Sequence, residues 1–218
     1  MKKIIKTNEI GNLIVISGPS GAGKDTIVEN LKKINKNIWV SISMTSREIR
    51  SNDIPNETYF FLTRKEFEEK IEAGEFLEYA EYNGNYYGTP KDKINEKLNK
   101  GIDVILVIEI QGALKIKELI PHAIFIFIMP PSLSELRNRL IKRGADSINK
   151  IFDRFKIAYK EINEVKKYNY VVVNDELDIA VNKVNSILLS ERCRVDRIED
   201  IYLNNIEEEL HELLVEKK

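Results

Sequence analysis

"VISGPSGAGKDT", Val15 to Thr26, decides the fold. Gly18, Gly23 and Lys24 carry the spacing of a phosphate-binding loop, G-x-x-x-x-G-K-[ST], and Asp25 then stands where the hydroxyl is expected. The apolar run "LIVIS" (13–17) leads into the loop, and Ile27, Val28, Leu31 and Ile34 follow it on one helical face. A glycine-rich turn between a strand and a helix offers backbone N–H groups and the positive end of the helix dipole to an anion, which also accounts for a lysine there. Gly18, Pro19, Ser20, Gly21, Ala22, Gly23, Lys24, Asp25 and Thr26 are therefore read as a nucleotide-phosphate cradle, with Lys24 as a point charge on the outer phosphates. A carboxylate beside a triphosphate is repelled unless a cation lies between them. Asp25 is thus a candidate Mg²⁺ ligand, direct or through water, with the Thr26 hydroxyl as a second. The plain alternative is an acidic first-turn residue favoured by the helix dipole by ~0.3–1 kcal/mol.

Outward from the loop, "DVILVIEI" (103–110), "AIFIFIM" (123–129) and "YVVV" (170–173) are further runs of strand length, separated by segments of helical period. Strands apolar on both faces belong to a parallel sheet covered by helices on both sides, so the class is α/β. "TRKE" (63–66) and "SLSE" (132–135) match the capping box and assign Glu66 and Glu135 to helix starts. Between 41 and 88 the texture changes to short segments, many aromatics and the turn-rich "RSNDIPNET" and "YNGNYYGT". "YFFL" and "FLEYAEY" there read as strands of a small, mostly antiparallel sheet around one helix, an inserted lobe. The core is then 1–40 and 89–192, and the tail 193–218 reads as an amphipathic helix docked on its own domain or on a second subunit, as in a homo-oligomer.

The bulk properties limit the partners. The 218 residues are 43% hydrophobic, enough for one core with an inserted lobe, and 34 basic residues against 35 acidic ones leave a net charge of -1. No global field then favours nucleic acid or an anionic membrane, and anion binding must be local. The single cysteine, Cys193, cannot form an intramolecular disulfide, which fits a reducing cytoplasm. Asn8, Glu9, Gly11 and Asn12 interrupt the N-terminal apolar run before the roughly 7–15 residues of a secretory h-region, and the longest apolar stretch falls far short of the ~20 residues that span a bilayer.

Arg47 and Arg50 stand three apart after a strand with Tyr59 following, a group able to grip one phosphate bidentately. Together with the loop, "T-x-R-x-x-R" (Thr45, Arg47, Arg50), "GEFLEYAEYNGNYYGTP", "IQGA" (110–113), "PPS" (130–132) and "VVVNDEL" (171–177) resemble, in order, the guanylate kinases. The resemblance implies a P-loop fold with a monophosphate-binding lobe and a helical lid at about 137–160, and phosphoryl transfer from ATP to GMP or dGMP with Mg²⁺. It implies that Arg47, Arg50, Tyr59 and Tyr87 grip the GMP phosphate, that Ser43, Glu78 and Thr89 read guanine, and that Glu109 also serves the acceptor. One carboxylate can accept the N1–H and N2 amine of guanine together, while adenine offers neither.

Catalytic roles are implied for Lys24, Arg50, Arg143 and Arg154, and donor-side roles for Arg139, Asn174 and Asp175. Four positions depart from the family pattern. They are Asp25, Met44 in place of a small residue, and Val107 where an acidic residue is usual, with Glu109 in place of Asp beyond it. A carboxylate gained at position 25 and one lost at position 107 form a candidate compensating pair. Two other readings stay open: a related kinase acting on another phosphorylated small molecule, and a catalytically silent domain binding a phosphopeptide through Arg47, Arg50 and Tyr59.

Overall fold

The structure, a computed structural model, describes residues 5–7, 10–50, 53–82, 84–142 and 148–201. It begins with β1 (Ile5–Thr7), β2 (Leu13–Ser17), α1 (Lys24–Ile34) and β3 (Ile38–Val40). A second group follows: β4 (Met44–Thr45), β5 (Phe60–Phe61), α2 (Arg64–Glu72), β6 (Phe76–Tyr82) and β7 (Asn85–Pro90). The chain then returns through α3 (Asp92–Asn99), β8 (Asp103–Val107), α4 (Ile110–Leu119) and β9 (Ile124–Met129). It ends in α5 (Leu133–Lys142), α6 (Ile148–Ile162), β10 (Tyr170–Val173), α7 (Leu177–Glu191) and β11 (Ile198–Ile201).

The expected parallel sheet is present, in the order β10-β9-β2-β8-β3. β2 is its central strand, with Ile14 level with Ile105 of β8 on one side and with Ile124 of β9 on the other. All five residues of β2 are buried, because alternate side chains enter two different cores. Ile14 and Ile16 pack with Ile27, Val28 and Leu31 of α1 and with Val181, Val184 and Leu188 of α7. Leu13 and Val15 pack on the opposite face with Ile94 of α3 and with Ala113 and Ile116 of α4. Ile34, expected on the buried face of α1, lies in its last turn and is 53% exposed.

The chain fills the sheet to one side of β2 with β3 and β8 and to the other with β9 and β10. Strand order therefore reverses at β2, and in such sheets ligands bind beyond the C-terminal strand ends at this reversal. The loop from Gly18 to Gly23 leaves β2 at that place.

The second sheet, β5-β4-β7-β6, is antiparallel except for the β4–β5 pair. Phe67 of α2 is fully buried against it, stacked between Phe76 and Tyr86 at ring separations of 4.5 and 5.2 Å. This sheet runs to Pro90, so the expected boundary at 88 falls inside β7. Two further expectations are corrected. The run "DVILVIEI" is strand only to Val107, and Ile110 opens α4 with Glu109 as its N-cap residue. The tail from Val195 was expected to be helical throughout, but Val195–Arg197 is a 3₁₀ turn and β11 pairs antiparallel with β1. The rest of the tail lies outside the described residues.

Candidate active site

The loop is held from below. Gly23 has φ 91°, a conformation that favours glycine, and a Cβ there would stand 2.3 Å from Asn174 Nδ2. Asn174, buried at the end of β10, donates from that nitrogen to Ala22 O at 2.8 Å and from its backbone N–H to Met129 O at 2.8 Å. Its own carbonyl accepts from Arg139 Nη2 at 3.1 Å, while Arg139 Nε donates to Glu135 at 2.8 Å. Arg139 and Asn174, expected on the donor side, thus meet beneath the loop, and Asp175 beside them is exposed. The Lys24 ammonium folds over the loop and donates to Gly18 O at 2.6 Å and Pro19 O at 3.3 Å.

Sequence reading missed Glu161 of α6. Its carboxylate lies near the Ser20 backbone N–H, and one oxygen is buried with no hydrogen-bond partner. Burial first, then the nearby charge of Glu109, pushes its pKa up to about 7, against the opposing pull of Lys24 and of the Ser20 N–H.

A pocket opens between the second sheet and the N-terminus of α4. Ser43, Tyr59, Glu78, Tyr87 and Glu109 line it, so five of the expected acceptor-side residues converge there. Thr89 completes the group by donating its hydroxyl to Glu78 Oε1 at 2.7 Å. Glu78 is only 6% exposed, and burial raises its pKa, opposed by the Thr89 hydrogen bond and by the charge of Lys115. Its space is made by Gly112 of "IQGA", where a Cβ would stand 2.7 Å from Glu78 Oε2. Gln111, Gly112 and Tyr82 also line the pocket, and sequence reading gave none of them a role. Arg154 lies close enough for its charge to act on Tyr82, whose pKa burial raises to about 12. Arg143 lies outside the described residues.

Arg47 is not part of the pocket wall but lies against one of its residues, with its guanidinium carbon 5.4 Å from the centre of the Tyr59 ring. It forms a two-pronged ion pair with Asp53, at 2.8 and 3.2 Å. Arg50 is exposed, three residues on.

The guanylate kinase family model matches residues 10–191, which is most of the chain and includes every element that borders the pocket and the loop. The chain belongs to the guanylate kinase family. It is 55% identical to a guanylate kinase of Clostridium tetani over 94% of this chain and 99% of that one. It is 54% identical to one of Clostridium acetobutylicum, over 93% and 96%. Among solved structures it resembles the crystal structure of guanylate kinase from Anaplasma phagocytophilum, with 33% identity, a TM-score of 0.76, and 90% and 93% of the two chains covered.

Within this guanylate kinase fold, Asp25 and Thr26 are exposed in the first turn of α1. The charges of Asp25 and Glu109 both bear on the Tyr59 hydroxyl, whose pKa is raised first by burial and then by Asp25. Among the described residues no group of three or more His, Cys, Asp or Glu could hold a metal by itself. Val107 sits level with Ile16 across the sheet and lines the pocket. Among the described residues no helix is long and apolar enough to cross a membrane.

Proposed function

We propose that this chain transfers the γ-phosphoryl group of ATP to the phosphate of GMP or dGMP, giving ADP and GDP or dGDP. The observation that carries the reading is Glu78, a buried carboxylate fixed by Thr89 and facing the cavity beside Gly112. Burying such a group is costly unless a partner meets it, and guanine presents two adjacent N–H donors to one carboxylate. Ser43 stands on the same pocket wall as a further polar contact for the base. Arg47, Arg50, Tyr59 and Tyr87 hold the acceptor phosphate. The backbone of Gly18 to Thr26, with Lys24, holds the donor phosphates.

An oxygen of the GMP phosphate attacks the γ-phosphorus as the bond to the β-phosphate oxygen of ATP breaks. The attacking phosphate is already ionised near pH 7, so the task of the protein is alignment and charge neutralisation. Arg154 of α6, with Arg143, supplies positive charge to the migrating group, and the helical arm formed by α5 and α6 excludes water. Asp25 and Thr26 are the residues to hold Mg²⁺, which when bound neutralises phosphate charge. Glu109 faces the acceptor from the start of α4. The lone exposed thiol of Cys193 fits the cytoplasm.

A coupled assay with ATP over GMP, dGMP, AMP, UMP and non-nucleotide phosphates tests the reading. Rapid turnover of GMP and dGMP alone is expected. A preference for any other acceptor sinks the substrate assignment, and no turnover of any acceptor sinks the activity itself.

A further inference from the structure

A carboxylate, Asp53, is hydrogen-bonded to both Arg47 and Arg50. Asp53 stands three residues after Arg50 and six after Arg47. Its Oδ2 accepts from Arg47 Nη1 at 2.8 Å and from the Arg50 backbone N–H at 2.7 Å, and its Oδ1 accepts from Arg47 Nη2 at 3.2 Å. The Asp53 backbone N–H returns a bond to Arg50 O at 3.0 Å. The Arg47 and Asp53 side chains are 9% and 10% exposed, so the pair is nearly dry. Breaking one partner of such a pair leaves a buried charge unmet, and that fixes the geometry strongly.

We propose that Asp53 is a positioning residue for the acceptor phosphate, selecting which edge of the Arg47 guanidinium is offered to it and fixing the Arg50 main chain beside it. This rests on the reading of Arg47 and Arg50 as the phosphate grip. A guanidinium has five N–H donors in a fixed plane, with one fork at its end and another along its side. Asp53 occupies the end fork, formed by one hydrogen from each terminal nitrogen. The remaining hydrogen of Nη1 is taken by Glu48 O at 2.6 Å. What remains is the side fork, Nε–H with the second hydrogen of Nη2. That fork can take two phosphate oxygens without displacing Asp53. The rings of Tyr59 and Phe61, 5.4 and 5.5 Å from the guanidinium carbon, confine the plane of the group.

Steady-state kinetics of Asp53→Asn and Asp53→Glu, with Arg47→Ala alongside and thermal midpoints for all, test the inference. Asn keeps the shape but turns an N–H₂ toward the guanidinium, so the Michaelis constant for GMP should rise about ten- to hundredfold while that for ATP stays nearly unchanged. Glu restores the charge and should recover most of the loss, which a role in shape alone does not predict. Should Asp53→Asn not fold, Asp53→Ser replaces it in the same comparison. An unchanged GMP constant in Arg47→Ala overturns the phosphate-grip reading itself. If Arg47→Ala raises that constant while Asp53→Asn leaves it alone, the positioning role is overturned. A lower GMP constant in Asp53→Asn also overturns it, because the carboxylate would then compete with the phosphate.

Discussion

On the proposed reading Asp25, exposed in the first turn of α1, holds a cation between itself and the phosphates. Asp25→Asn keeps the shape and should raise the Mg²⁺ concentration needed for half-maximal activity. A Mg²⁺ titration that does not move would leave Asp25 as a helix-dipole residue. Asp25→Ser with Val107→Glu should recover more activity than the two single changes combined, as expected of groups that share one ion. On the acceptor side, Glu78→Gln should lower discrimination for GMP by ~1–3 kcal/mol, roughly 5- to 150-fold, with ATP binding spared. Gly112→Ala should act on the same carboxylate, because its Cβ would press on Glu78 Oε2 from 2.7 Å. A higher GMP constant with an unchanged thermal midpoint is the expected pattern, and equal kinetics would show that the carboxylate can move aside. Residues in a contiguous pattern, such as the loop glycines and Lys24, were legible in the sequence because chain neighbours act together there. Asp53 and Glu161 were not, since each takes its role from a partner that a turn or the tertiary fold brings to it.

Elements were legible where one period ruled. β2 and β9 matched their apolar runs because a strand buried on both faces admits little else, and β10 matched its run although it is the edge strand and leaves Val171 and Val173 exposed. The end of β8 was missed because Ile108 and Ile110 stay buried as the chain turns from strand to helix, so hydrophobicity alone cannot mark the change. Both capping boxes sit at helix starts, but only the one at Thr63 is reciprocal. At Ser132 the hydroxyl accepts from Glu135 N at 3.0 Å, while the Glu135 carboxylate is engaged by Arg139. Thr63→Ala should therefore cost ~0.5–2 kcal/mol of stability and leave both Michaelis constants unchanged, since α2 supports the lobe from its far side. Asn174→Asp should do the reverse. A carboxylate cannot donate to Ala22 O, so the phosphate loop loses its brace and the constant for ATP should rise more than that for GMP. Arg154→Ala belongs to the helical arm and should lower kcat by about 10²-fold or more with smaller changes in binding, because its charge is needed chiefly in the transition state. A change confined to the Michaelis constants would make it a binding group.

At the scale of the whole molecule, Glu161 sits where the helical arm meets the phosphate loop, in the last turn of α6 and near the Ser20 N–H and Lys24. α5 and α6 share a small core, formed by Leu136, Leu140 and Ala158 with Phe155 and Ile162 beside it, and its Leu136 and Leu140 lie directly against Gly21 of the loop. Glu161 carries a pKa of about 7 in the fold against an ordinary value of 4.5. Between those values the folded chain holds a proton that the unfolded chain has released, so this group favours the fold in full below pH 4.5 and loses that effect as pH rises through 7. The full shift corresponds to at most roughly 3 kcal/mol. Glu161→Gln imitates the protonated acid at every pH. It should therefore unfold at a higher temperature than the parent at pH 8, by about 2–4 °C for each kcal/mol recovered, and match the parent near pH 5. Thermal melts of the two proteins across that range decide the matter. A difference of the same size at both ends would mean that the carboxylate acts through packing, and that the junction between arm and loop carries no charge-dependent strain.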